Sequence, residues 1–271
     1  MTRAGRWLAQ HLVLILGLLV LLYMFVPVFV VVLMSFNDPG SRNSYTFDGF
    51  TLDNWRNICE PYQLCSSVGL SLQIGLLATV GATLLGTLMA FAMVRHRFRG
   101  RAAANVFIFL PMATPEIVMG SSLLALFVNA GASGILGFWT IFIAHVLFCL
   151  SFVVVTVKAR LAGLDPKIEQ AAADLYANEW QTFWRVSFPL VFPGILAAAL
   201  LSFSLSFDDF IITNLNAGQE VTFPMFVWGA NTKGIPPQIN VIGTVMFVIA
   251  FVLVLAGELR SRRQSKSLAA G

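Results

Sequence analysis

Six apolar runs recur along the chain, each long enough to cross a lipid bilayer. They cover about His11 to Met34, Gly69 to Val94, Ala103 to Val128, Gly134 to Val157, Pro189 to Thr213 and Ile239 to Ala256. A hydrocarbon core of roughly 30 Å takes about 20 residues of α-helix. Backbone N–H and C=O groups cannot go unpaired in lipid, so such runs are expected to be helices. Composition agrees: 58% of residues are hydrophobic and 11% charged, against about 25% charged in a soluble globular chain. So little charge excludes a large soluble enzyme, a disordered chain and a disulfide-dense secreted framework. The expected fold is all-α and polytopic, with six transmembrane helices in a single domain over residues 1–271. The first run follows Arg3 and Arg6 but is too long for a signal peptide, and no small-residue cleavage site closes it. It reads as a retained span.

The few charges orient the bundle, because basic residues accumulate on the cytoplasmic side of membrane spans. Arg3 and Arg6 precede span one, and Arg95, Arg97, Arg99 and Arg101 lie between spans two and three. Lys158, Arg160, Lys167 and Arg185 lie between spans four and five, and Arg260, Arg262, Arg263 and Lys266 follow span six. All of these fall on one side, leaving Arg42, Arg56 and Lys233 on the other. Both termini are therefore expected in the cytoplasm, and the net charge of +4 needs no nucleic-acid partner. The largest external segment, about residues 35–68, carries turn chemistry in "NDPGSRN". It also holds Cys59 and Cys65. Their spacing fits a disulfide or two free thiols, since spacing alone does not fix the Cα separation. Cys149, inside span four, reads as a small packing residue.

One cytoplasmic connection, about residues 161–188, reads as folded. Asp165 can cap a helix opened by Pro166, and Ile168, Ala171, Ala172, Leu175 and Trp180 follow near helical spacing. A second short helical turn, from Glu179 to Val186, follows Asn178. Pro189 then opens span five, where a missing N–H costs nothing. An amphipathic helix pair between two spans suits docking of another protein, or lying on lipid headgroups.

Ionisable residues inside spans are expensive and mark function by default. Three acids fall there: Glu116, Asp208 and Asp209. In a continuous helix Ser202, Ser206, Asp209 and Thr213 share one polar stripe, which places Asp209 on a translocation path. Asp208 shares a face with Ser204, as a second ligand or a packing anchor. Capping of the span end by both aspartates is the alternative. Glu116 follows Pro111 and Pro115, each of which removes a helix hydrogen bond. It reads as a cation ligand or as a carboxylate paired with another span. Phe207, Phe210, Trp139 and Trp228 offer aromatic faces to a cation. His145 reads as an interhelical polar residue. There is no G-x-x-x-x-G-K-[ST] pattern for ATP, no metal-ligand cluster and no Ser/His/Asp constellation, so no catalysis is expected.

The cytoplasmic segment resembles the "EAA" loop of ABC-importer permeases, approximately E-A-A, three residues, G, about nine residues, then I-x-L-P. The match runs through Ala171, Ala172, Asp174, Leu175, Ala177, Val186, Phe188 and Pro189. The family's glutamate falls on Gln170, with Glu169 one position earlier, and its glycine falls on Tyr176. Glycine there permits a turn between two short helices, which tyrosine must accept or reshape. The resemblance extends over essentially the whole chain. "SFNDPG", "FTLDNW", "LPMATPEIVMG" and "LSFSLSFDDFIITNLNAG" look like the permease subunits of spermidine/putrescine importers.

That resemblance implies the ABC-importer permease fold and half of a path for polyamines. It implies coupling to an ATPase through about Pro166 to Arg185, including Glu169, Gln170, Ala171, Ala172, Asp174, Leu175, Tyr176 and Ala177, with Pro189 at its end. The implied partners are a second, PotB-like permease subunit, a homodimeric PotA-like cytoplasmic ATPase and an external PotD-like substrate-binding protein. ATP and Mg belong on the ATPase, and no cofactor is expected in this chain. A flexible di- or tri-ammonium needs spaced carboxylates and apolar or aromatic surface for its methylenes. The expected path residues are Glu116, Ser206, Phe207, Asp208, Asp209 and Trp228. The same machinery could carry another solute, such as an amino acid or an iron complex. The alternative from another class is a stand-alone secondary transporter, whose sign is broken helices in both halves. Span three has prolines, but no matching break is legible in spans four to six.

Overall fold

Each apolar run becomes helix in the computed structural model, which describes residues 3–40, 46–131, 133–165 and 167–269. The order is α1 (Arg3–Met34), α2 (Asp53–Arg56), α3 (Leu64–Arg95), α4 (Arg101–Ala113), α5 (Glu116–Asn129) and α6 (Phe138–Ala162). Then follow α7 (Lys167–Asp174), α8 (Glu179–Thr182), α9 (Phe188–Phe207), α10 (Ile211–Asn216), α11 (Phe223–Lys233) and α12 (Gln238–Ala269). Among the described residues, five continuous helices are long and apolar enough to cross a membrane, and α4 with α5 make a sixth, bent candidate.

That bend falls at the prolines of the third run, and its sharpness is the first departure from the sequence reading. The third run is two helices whose directions differ by 109°. Thr114 is extended, with φ −84° and ψ 130°, because a residue before proline is pushed out of the α region.

The second departure is at both ends of the fifth run. Pro189 does not open the span: the helix is continuous over Glu179–Phe207. Asn178 caps it, its side chain accepting from the Gln181 N–H at 2.8 Å while Gln181 Oε1 accepts from the Asn178 N–H at 3.1 Å. A proline ring inside a helix crowds the carbonyl four residues back. Here a wide π-turn over Phe183–Ser187, closed by the Phe188 N–H on the Phe183 carbonyl, precedes it and relieves the crowding. The far end stops at Phe207, and the chain restarts as helix only at Ile211. A break thus exists in span five, where none was legible.

The chain divides into two compact units, residues 1–65 with 227–271 and residues 66–226. In the first, α1 packs along α12, with Phe25 edge-on to Phe247 at 6.2 Å between centroids. Its external segment is folded rather than a plain loop. Asn37 Oδ1 accepts from the Asp48 N–H at 2.8 Å, and its Nδ2 donates to the Thr46 carbonyl at 2.9 Å. Asn54 Nδ2 reaches back to the Asn37 carbonyl at 2.8 Å. Phe36 stacks between Phe50 and Trp55. Cys59 and Cys65 are bonded, their Cα atoms 5.3 Å apart.

In the second unit α6 is the central helix. Ala144, Phe148, Cys149, Val153, Val154 and Val157 are all buried, and α6 packs against α4, α9 and α10. A Cβ on Gly86 would lie 2.6 Å from Val153 Cγ1, so α3 crosses α6 at a residue without a side chain. Between helices in lipid, such close van der Waals contact supplies much of the association energy.

Candidate functional site

The two helix breaks lie side by side, because the segments that restart after them, α5 and α10, pack together. A Cβ on Gly120 of α5 would meet Ile212 Cα at 3.2 Å and Leu215 Cδ1 at 2.9 Å. Asn216 Nδ2 donates to the Gly120 carbonyl at 3.2 Å and to the Ile212 carbonyl at 2.9 Å. Glu116 is the first residue of α5, and Asp208 and Asp209 occupy the break before α10. Glu116 therefore lies within electrostatic reach of both aspartates. All three intramembrane acids of the sequence are gathered at one place.

Their surroundings differ sharply. Glu116 and Asp208 are exposed at the surface of the unit, whereas Asp209 is buried. Asp209 Oδ2 accepts from the Thr213 N–H at 2.8 Å and from Thr213 Oγ1 at 2.7 Å, and Oδ1 accepts from the Ile212 N–H at 3.4 Å. The first N–H groups of any helix lack intrahelical partners, and this carboxylate satisfies two of them for α10. His145 of α6 completes the cluster. Its Nδ1 lies 2.7 Å from Ser206 Oγ, and its Nε2 lies 2.8 Å from Thr213 Oγ1 and 3.4 Å from Asp209 Oδ2.

The expected polar stripe thus exists, but Ser202, Ser206, Asp209 and Thr213 are buried. The aromatic residues differ in setting: Phe207 and Phe210 flank the aspartate pair at the break. Phe207 packs against Phe203 and Phe223, at 5.9 and 6.2 Å between centroids. Phe210 is half-buried. Trp139 is exposed, edge-on to Phe138 and Phe142. Trp228 belongs to the other unit and is exposed. The link from His145 to Asp209 is missing from the sequence reading. Its signal was a lone histidine in span four opposite a stripe of hydroxyls in span five.

The cytoplasmic segment carries the second constellation. Asp165 Oδ1 accepts from the Lys167 N–H at 2.9 Å, capping α7; Pro166 lies outside the described residues. At the far end of α7 the Tyr176 N–H bonds to the Ala173 carbonyl at 2.9 Å and the Ala177 N–H to the Ala172 carbonyl at 3.1 Å. This is the Schellman closure, whose left-handed position usually holds glycine. Tyr176 takes it with φ 58° and stands 97% exposed, so the tyrosine accepts the turn. Glu169 bonds to Arg95 at the end of α3 and to Ser187 at the start of span five. Ala172 is buried and Ala177 partly so. Gln170, Ala171, Asp174 and Arg185 face outward. Leu175, Tyr176, Trp180 and Trp184 expose apolar surface along the same segment.

Long apolar helices, two of them broken around carboxylates, with a folded segment between the last two spans of the second unit, define a multi-pass membrane permease. Residues 82–264 match the family described as the binding-protein-dependent transport system inner membrane component, and the chain belongs to that family. It is 35% identical over 245 residues to the spermidine/putrescine transport system permease protein PotC of Escherichia coli strain K12, covering 90% of this chain and 91% of that one. It is 33% identical over 253 residues to the putrescine transport system permease protein PotI of the same strain, covering 91% and 89%. Among solved structures, a bacterial alginate ABC transporter in complex with a pentasaccharide-bound periplasmic protein superposes with a TM-score of 0.69. That match has 17% identity and covers 97% of this chain and 98% of that one, and it shows the fold. The chain is a transporter subunit rather than an enzyme, a multi-pass protein of the bacterial inner membrane.

Proposed function

We propose that this chain is one permease subunit of an ATP-driven importer of polyamines and lines half of its translocation path. The observation that carries the reading is the meeting of Glu116, Asp208 and Asp209 at two adjacent helix breaks, in a chain whose relatives are named for spermidine and putrescine transport. Exposed Glu116 and Asp208 supply spaced negative charge for a di- or tri-ammonium. Helix breaks are where backbone carbonyls can turn to a solute rather than to their own helix. A second permease subunit, PotB-like, completes the path, and a PotD-like binding protein delivers the solute outside. A PotA-like ATPase homodimer, carrying the ATP and Mg, docks on the segment from about residue 161 to 188, where Leu175, Tyr176 and Trp180 offer apolar anchors. Closure of the ATPases moves that segment, and the spans alternate between outward and inward openings.

The test is uptake and ATP hydrolysis by the complex reconstituted with its binding protein. Spermidine or putrescine is expected to stimulate both, and neutral amino acids neither. Asp208→Asn and Glu116→Gln are each expected to lower maximal uptake by about tenfold, the worth of one charged contact, with assembly intact. Failure of every polyamine to stimulate hydrolysis would overturn the substrate assignment.

A further inference from the structure

We propose that His145 is a positioning residue for transport: it locks Asp209 into the break of span five and thereby fixes where Asp208 stands. The imidazole is 1% exposed and touches all three parts of the break. Ser206 is in the last turn before it, Asp209 is inside it, and Thr213 is in the first turn after it. One placement of protons satisfies each contact. The Ser206 hydroxyl donates to Nδ1, the Nε2 proton goes to Thr213 Oγ1, and the Thr213 hydroxyl donates to Asp209 Oδ2. Asp209 also accepts from two N–H groups of α10, so three donors sit on its two oxygens. Buried and already bonded to three donors, it is less open to a passing cation than its exposed neighbour. Its neighbour Asp208 closes α9, its N–H on the Ser204 carbonyl at 3.2 Å, and its side chain points out of the cluster. The two adjacent aspartates divide the work: one holds the break shape and the other meets the solute. α6 carries the lock, so a movement of α6 against α9 reaches Asp208 through Asp209.

This rests on the importer reading, and two measurements separate the two. The first is a double-substitution cycle on maximal uptake, run with whichever solute the unaltered complex imports and normalised to assembled complex. His145→Leu and Asp209→Asn are each expected to lower uptake, and the pair to fall no more than about threefold below the worse single, as for residues acting as one unit. His145→Leu with Asp208→Asn is likewise expected to fall no more than about threefold below the worse single, because His145 acts through the placement of Asp208. His145→Gln, which can still donate from its amide, is expected to retain more activity than His145→Leu. Thr213→Val replaces His145→Leu in the cycle should the latter fail to assemble. The second measurement needs no transport: the rate at which a thiol reagent labels Asp208→Cys. His145→Leu and Thr213→Val are expected to shift that rate by at least about threefold, with Asp209→Asn adding nothing further. Multiplicative effects of His145 and Asp209, or an unchanged labelling rate, would overturn the positioning role. Absence of polyamine uptake with an intact labelling result would overturn the substrate reading alone.

Discussion

Two adjacent residues show how finely position decides role. Asp208 and Asp209 have the same side chain, yet one closes a helix and faces out while the other is buried with three donors around it. Sequence spacing places both near the end of span five, but the break between α9 and α10, rather than the turn of a continuous helix, sets which way each faces. Tyr176 is the other instructive residue. Its left-handed φ of 58° costs a non-glycine residue about 1–2 kcal/mol, and nothing buries the ring in return. Replacement with glycine is expected to relieve that strain and leave the turn intact, and asparagine, which tolerates the conformation, should behave alike. Valine, branched at Cβ, is expected to open the turn. The check is the amount of ATPase that co-purifies: near normal for Tyr176→Asn and clearly reduced for Tyr176→Val. Loss with asparagine as large as with valine would mean that the ring itself, not the turn, makes the contact.

At the level of elements, the sequence made helices legible and breaks only partly so. Pro111 and Pro115 announced the bend in the third run. The run "LSFSLSFDDFII" contains no proline or glycine, and its break is held by a local cap, Asp209 on α10's first N–H groups, and by a tertiary contact, His145 reaching across from α6. The tertiary part of such a break cannot be read from periodicity, because His145 sits in another span. The same holds for Pro189, whose place inside a helix depends on the π-turn before it. Two predictions belong here. Glu169 joins α7 to Arg95 and Ser187, which ties the segment proposed to dock the ATPase to the end of α3. Arg95→Ala and Glu169→Gln are each expected to lower solute-stimulated ATP hydrolysis several-fold while membrane abundance stays near normal, since a partly exposed pair is worth only about 1 kcal/mol to stability. Unchanged stimulation in both variants would show the contact to be incidental. Gly120 sets the approach of α5 to α10. Gly120→Val must displace the Ile212 backbone, so a loss of about 1–3 kcal/mol is expected, as in overpacked cores. It should show as reduced accumulation, whereas Gly229→Ala, where an added Cβ meets nothing within 4 Å, should accumulate normally.

For the whole molecule, the open question of geometry is which side of the membrane each end faces, and two unrelated features give the same answer. The basic residues collect before span one, after span two, after span four and after span six, which the cytoplasmic leaflet favours. The segment between spans one and two instead holds a bonded cysteine pair, which persists where the surroundings are oxidising. Charge bias acts during insertion and disulfide formation afterwards, so neither depends on the other. Both lead to the expectation that the Cys59–Cys65 segment lies outside, and six spans, counting the bent α4–α5 pair as one, would then return the chain inside. An alkaline phosphatase fused after Gly271 is therefore expected to be inactive and one inserted after Tyr62 active, while a fluorescent reporter that folds only in the cytoplasm should glow at Gly271. Replacing Arg95, Arg97 and Arg99 with glutamine is expected to weaken this pattern, raising the phosphatase signal at Gly271, because those residues anchor the turn between spans two and three. A phosphatase signal at Gly271 in the unaltered chain would invert the orientation. The coupling segment would then face away from any ATPase, and the importer mechanism would fail with it.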